Sequence, residues 1–175
     1  MKPSFHDKVV LVTGASSGIG EAAVALFADA GATVYGTARG ESQLELMRAR
    51  HPGVRWVRAD VTDAAGIKAA VEAIVREAGR LDVLVNNAAI FEFASLEAVS
   101  VDSIRGQFAT NVHGSIFAAQ AALPALKATR GAILNISSAA GHKPVPGARS
   151  TARPRPRSSR SPDPGRSSSP LTACA

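Results

Sequence analysis

Residues 8–20 read KVVLVTGASSGIG. Val9, Val10, Leu11 and Val12 make an unbroken apolar run, the pattern of a strand buried on both faces of a parallel sheet. Thr13 and Gly14 end it. Gly14, Gly18 and Gly20 follow in GxxxGxG spacing, and an amphipathic segment begins. Strand, glycine-rich turn and helix in this order form a phosphate site for a dinucleotide. Gly14 permits a tight turn, Gly18 lets backbone approach a phosphate, and Gly20 lets helix pack close to strand. The helix N-terminus then offers free N–H groups and the positive end of its dipole to the anion. The alternative is a plain strand-to-helix turn, since glycine-rich turns are common.

Outward from this stretch, strands and helices alternate. A first helix is expected over residues 18–30, with Ile19, Ala22, Ala23, Leu26, Phe27 and Ala30 on one face and Gly31 as its cap. Residues 32–38 (ATVYGTA) read as a second strand that buries Tyr35. Residues 41–50 read as a short helix and 54–59 as a third strand. Beyond Asp60 and Asp63, the set Ile67, Ala70, Val71, Ile74, Val75 and Ala78 repeats the helical face, with Gly79 as cap. Residues 81–86 (LDVLVN) make a fourth strand and 132–137 (AILNIS) a fifth. Between them, residues 101–128 read as one long helix with Ile104, Phe108, Val112, Phe117 and Ala121 as its apolar positions, bent by Pro124 in its last turn. This alternation implies right-handed crossovers and a parallel sheet. The expected fold is α/β, a Rossmann-type doubly wound sheet of strand order 3-2-1-4-5. Its ligand crevice lies at the carboxyl ends, where the order reverses.

Composition divides the chain in two. Of 175 residues, 46% are apolar, enough for one domain with a real core over residues 1–147. The formal net charge of +6 is misleading, because residues 148–175 hold six arginines against Asp163 alone. Residues 1–147 carry 14 basic and 13 acidic side chains, so charge gives the domain no nucleic-acid role. The segment from Ala148 is dominated by Arg, Pro and Ser and is expected to be disordered, having too little apolar surface to offset its ordering entropy. No long apolar span suggests a membrane helix, and the first residues lack the apolar core of a signal peptide. Cys174 is the only cysteine, so no internal disulfide forms, and a cytoplasmic location is expected.

The motifs together resemble the short-chain dehydrogenase/reductase family in its single-domain form, over about residues 5–147. Its signposts are TGASSGIG at residues 13–20, DV at 60–61, NNA at 86–88, Asn111 within ATNVHG, and NISS at 135–138. The resemblance implies an oxidoreductase that interconverts an alcohol and a ketone or aldehyde by hydride transfer. It implies cofactor contacts from Gly14, Ser16, Ser17, Gly18, Ile19, Gly20, Asp60, Val61, Asn87 and Ala88. Two of these places have a simpler alternative. Ser16 and Ser17 could cap the helix, and Asp60 could cap the next one. Asn86 ends the fourth strand beside the crevice, and Ala89 stands where the family carries glycine.

Arg39 decides between cofactors. An acid at the end of the second strand would bond the ribose hydroxyls of NAD, whereas an arginine offers a fork of donors to the 2′-phosphate of NADP. Residues 38–39 occupy this place, and NADP(H) is expected, with a solvated surface arginine as the alternative. Ser138 resembles the family's catalytic serine, and Asn111 the asparagine that helps hold a water-linked proton relay. From its residue type alone, Asn111 reads instead as a satisfied core amide. Phe91, Phe93 and residues 142–145 are candidates for the substrate side, with core packing an equal account of the two phenylalanines.

The family's Tyr-x-x-x-Lys pair is missing. The tyrosine belongs near position 151, where Ser150, Thr151 and Ala152 stand, and Pro154 and Arg155 stand where the lysine belongs. Threonine does not replace it as an acid, because an aliphatic hydroxyl titrates far above the phenol's value of about 10. Read one base out of frame, RSTARPRPRSS from Arg149 permits YSASKAAL, the residues that the family would place here. Residues 148–175 are therefore expected to derive from a frameshift, leaving the sheet incomplete on its C-terminal side, the fifth strand an exposed edge, and this chain with impaired turnover. The expected partner is a small alcohol or carbonyl substrate. Family members often form homo-oligomers through the long helix and the next one, and only the first is recognisable here. Two other readings are a non-catalytic NADP(H)-binding or regulatory protein and, last, nucleic-acid binding by the Arg-rich tail.

Overall fold

The computed structural model describes residues 4–138. The Arg/Pro/Ser-rich segment, residues 142–145 and the positions expected for the Tyr–Lys pair lie outside the described residues. Five strands, β1 (Val9–Val12), β2 (Thr33–Ala38), β3 (Arg55–Arg58), β4 (Val83–Asn86) and β5 (Ala132–Asn135), form one parallel sheet in the order 3-2-1-4-5. Leu11 sits between Tyr35 on β2 and Leu84 on β4 in register. The helices are α1 (Gly18–Asp29), α2 (Glu41–Arg50), α3 (Ala64–Ala78), α4 (Val101–Phe108) and α5 (Ser115–Thr129). The expected doubly wound Rossmann-type sheet is thus observed.

A separate core covers each face of the sheet. Leu11, Tyr35 and Leu84 pack under α3 and α5 against Ile67, Ile74 and Ala118. Val10, Val12, Val34 and Val85 pack under α1 and α2 against Val24, Leu44 and Met47. α3 follows its sequence pattern closely. Asp63 caps it by accepting from the N–H groups of Ala65 and Gly66, and Gly79 ends it in a left-handed conformation at φ 75°.

Two helices depart from the expected faces. On α1 the buried residues are Gly20 and Val24, while Ile19 and Leu26 are exposed. Gly20 fixes this rotation: a Cβ there would collide with the Asn87 side chain and the Gly14 carbonyl, so the helix turns its bare position inward. The expected long helix is broken by a π-helical segment, Ala109–Gly114, between α4 and α5. The wider turn shifts the phase of α5, so the face it buries is Ala118, Ala122 and Leu126. Phe108 and Val112 are left exposed.

β5 pairs with β4 alone among the described residues, and all four of its residues are exposed. Among the described residues its apolar AILN sequence is an edge of the sheet. No helix of the described residues is long and apolar enough to cross a membrane.

Candidate functional site

The carboxyl ends of β1, β2, β4 and β5 border a cleft of about 790 Å³. It lies where the strand order reverses, between the turns that follow β1 and β4. Gly14, Ser16, Ser17, Gly18 and Ile19 line its side at the β1–α1 turn, Arg39 and Val61 its outer rim, and Asn87, Ala88, Asn111 and Ser138 its inner end. Gly20 and Asp60 do not line it. Gly20 lies buried beneath the turn. The Asp60 carboxylate accepts from the backbone N–H and hydroxyl of Thr62, at 2.9 and 2.8 Å, and Asp63 rather than Asp60 caps α3.

The β1–α1 turn is built from both sides. Gly14 takes φ 61°, and a Cβ on it would come within 2.7 Å of Ala88 Cα. The Gly14 N–H donates to Thr37 Oγ1 at 3.3 Å, which ties the turn to the end of β2. The Asn87 amide donates to the carbonyls of Thr13 and Gly14, both at 3.0 Å. The buried Thr13 hydroxyl accepts from the backbone N–H groups of Asn87 and Ala88, both at 3.1 Å. Thus Asn87 and Ala88 line the cleft and also brace the β1–α1 turn. Ser17 occupies the N-cap position of α1 with no side-chain capping bond, so its hydroxyl is not spent on the helix. That removes the capping alternative for Ser17.

The inner end is a polar cluster. Asn86 and Asn135 face each other in register across β4 and β5. The Asn86 amide donates to Asn135 Oδ1 at 2.9 Å and to the Ser115 carbonyl at 3.2 Å. Asn111 sits in the π-helical segment and exchanges two bonds with Ile90: its Nδ2 donates to the Ile90 carbonyl at 2.8 Å, and its Oδ1 accepts the Ile90 N–H at 2.9 Å. Its side chain is therefore satisfied by the β4–α4 loop, as its residue type alone implied. The Ser115 hydroxyl contacts the carbonyls of Asn111 and Val112, at 3.1 and 2.9 Å, which the wide turn leaves available.

Charge is concentrated at one point. Arg39 is the only charged residue lining the cleft among the described residues. Glu41, the nearest acid along the chain, is held by Arg48 at 2.9 Å. Phe91 and Phe93 neither line the cleft nor enter the core: they are 50% and 71% exposed and pack edge-to-face on each other at 4.6 Å. The sequence does not mark the roles of Thr13 and Thr37, which depend on partners distant in sequence, or of Ser115, whose hydroxyl bonds carbonyls only three and four residues back in the wide turn. The one local signal is a lone polar residue closing an apolar strand.

Comparison with known proteins places this geometry. The profile of the family described as short chain dehydrogenase matches residues 8–150. Over 143 residues the chain is 38% identical to 3-ketodihydrosphingosine reductase of Bacteroides thetaiotaomicron, covering 81% of this chain and 51% of that protein. It is 36% identical over 147 residues to galactitol 2-dehydrogenase of Agrobacterium fabrum, covering 79% of this chain and 56% of that one. A solved mutant of a Serratia marcescens short-chain dehydrogenase/reductase superposes with a TM-score of 0.77 at 32% identity. That match covers 85% of this chain and 62% of the other. The chain thus spans a little over half the length of these curated relatives. It belongs to the short-chain dehydrogenase family of oxidoreductases.

Proposed function

We propose that the cleft binds NADP(H), and that the complete form of this protein interconverts an alcohol and a carbonyl compound. The observation that carries the cofactor reading is Arg39. It is the one charged residue lining the cleft among the described residues, it stands just past β2, and no acid lines the cleft to repel a phosphate. The cleft fits a dinucleotide in its other parts as well. The first turn of α1, with Ser16, Ser17, Gly18 and Ile19, would take the pyrophosphate on uncapped N–H groups. Val61 and the turn at Asp60 would border the adenine, and Asn87 and Ala88 the ribose beyond the phosphates.

When bound, the cofactor supplies the hydride chemistry. The chain's own residues position and hold. Ser138 lies at the inner end of the cleft, where its hydroxyl would hold a substrate oxygen. Asn111 fixes the β4–α4 loop through Ile90 and so shapes that end. The proton donor of the family would come from the Tyr–Lys pair, and neither residue stands at its place in this sequence. We attribute this to a one-base frameshift at about codon 148, because the alternative frame permits YSASKAAL. The chain as written then binds cofactor with little or no turnover.

The test is NADPH oxidation on a panel of ketones and aldehydes, run with this chain and with the chain encoded in the alternative frame. The expected result is cofactor binding by both and turnover by the second alone. Equal turnover by both would overturn the role given to the missing pair. Binding without turnover by both would favour a regulatory NADP(H)-binding protein.

A further inference from the structure

A second arginine stands behind the first. Arg58 ends β3, in register with Ala38 of β2. Its Nε donates to the main-chain carbonyl of Arg39 at 3.2 Å. The Ala38 carbonyl is taken by the Ala59 N–H at 3.0 Å, the last backbone bond between these strand ends. The next carbonyl, that of Arg39, lies past the ladder and is held by a side chain instead.

The charge around this contact is uncompensated. Arg48, Arg50, Arg55, Arg80 and Arg105 each pair with a carboxylate, whereas no carboxylate among the described residues pairs with Arg39 or Arg58. Glu41 is engaged by Arg48, and Glu21 by Arg50 and His51. The Arg58 guanidinium is thus tied to the main chain of Arg39, and no acid among the described residues offsets either arginine. Both arginines are exposed, and an anion within reach of both would gain from each charge.

We propose that Arg58 is a positioning residue for the ribose-phosphate subsite. It fixes the backbone from which Arg39 reaches, and it adds a second positive charge on the side from which a dianionic phosphate would approach. This inference rests on the NADP(H) reading and extends it to a residue outside the cleft lining.

The test uses the full chain and the intrinsic fluorescence of NADPH and NADH, titrated against wild type, Arg39→Ala, Arg58→Ala and Arg58→Lys. Arg58→Ala is expected to weaken NADPH about three- to tenfold, the worth of one net hydrogen bond, while leaving NADH unchanged. Arg58→Lys, which keeps the charge, is expected to recover part of the NADPH preference. If Arg58→Ala weakens both cofactors alike, or neither, Arg58 is a structural residue only and the inference fails. If Arg39→Ala still abolishes the preference in that case, the cofactor reading survives it. If wild type binds NADPH and NADH equally, the cofactor reading itself fails.

Discussion

Thr13 and Asn87 hold each other reciprocally. The Asn87 amide donates to the Thr13 carbonyl at 3.0 Å, and the Thr13 hydroxyl accepts the Asn87 backbone N–H at 3.1 Å. The two residues are 74 apart in sequence and close the β1–α1 turn against the end of β4. Thr13→Val keeps the shape of the side chain and removes the acceptor for two N–H groups, those of Asn87 and Ala88. We expect a loss of about 1–3 kcal/mol in urea unfolding, because buried donors are left unpaired. Dinucleotide affinity should fall with it, since the turn loses its brace. A neutral Thr13→Val would show that other contacts hold the turn.

Gly20→Ala tests the rotation of α1. A Cβ at this position would lie 2.6 Å from the Gly14 carbonyl oxygen and 3.0 Å from Ala15 Cα, both backbone atoms of the turn itself. Relief requires α1 to move off the turn. The expected cost is about 1–3 kcal/mol in chemical denaturation, the usual range for overpacking. The substitution should also weaken dinucleotide binding, although Gly20 does not line the cleft.

Asn111 anchors the loop that leads away from β4. Asn111→Ala removes both partners of Ile90 at once. Hydrogen exchange at the Ile90 amide should accelerate, and stability should fall by about 1–2 kcal/mol. Asn111→Asp keeps the acceptor for the Ile90 N–H and loses the donor to its carbonyl, so Ile90 exchange should stay slower than in Asn111→Ala.

Asp82 ties the opposite end of the sheet together. It accepts from the Val9 N–H at 2.9 Å and from Arg80 Nε at 2.8 Å, with Lys8 Nζ at 3.4 Å. Burial pushes its carboxyl up, but the bonds from Arg80, Val9 and Lys8 outweigh burial and hold it below the ordinary carboxylate value. A carboxyl lowered in the folded state contributes stability above its unfolded value of about 4, and loses it as pH falls through the folded one. Asp82→Asn should therefore destabilise the protein by about 1–3 kcal/mol at neutral pH. The deficit should shrink progressively below about pH 4, read from urea midpoints across a pH series. A deficit that stays constant down to strong acid would contradict the assignment.

The fold was largely legible because it rests on local patterns. The apolar run at Val9–Val12, the repeated face of α3 and its cap at Gly79 are each read within a few residues, whereas its N-cap is Asp63 and not Asp60. The strand order followed from alternation and handedness. What escaped was set by contacts across the chain. Ile19 and Leu26 look like core positions of α1, yet the close approach of Gly20 to the β1–α1 turn and Asn87 turns them outward. The π-helical segment is invisible to a periodicity of 3.6, because it is built around Asn111 bonding to Ile90 and Gly114 packing on Val61. Phe91 and Phe93 looked suited to a core or a substrate wall and are exposed in a loop. Eleven of the thirteen expected site residues line one cleft, with Gly20 beneath it and Asp60 turned to Thr62. The threonines that hold the site together were not legible, because a threonine in a strand carries no mark of its distant partner.

The central claim is that this cleft takes NADP(H), and equilibrium titration of the purified full chain with NADPH and with NADH tests it most directly. Saturable binding is expected, with NADPH favoured by about tenfold or more, the difference that one charge-assisted phosphate contact supplies. NADH bound as tightly as NADPH, or no binding of either, would contradict it.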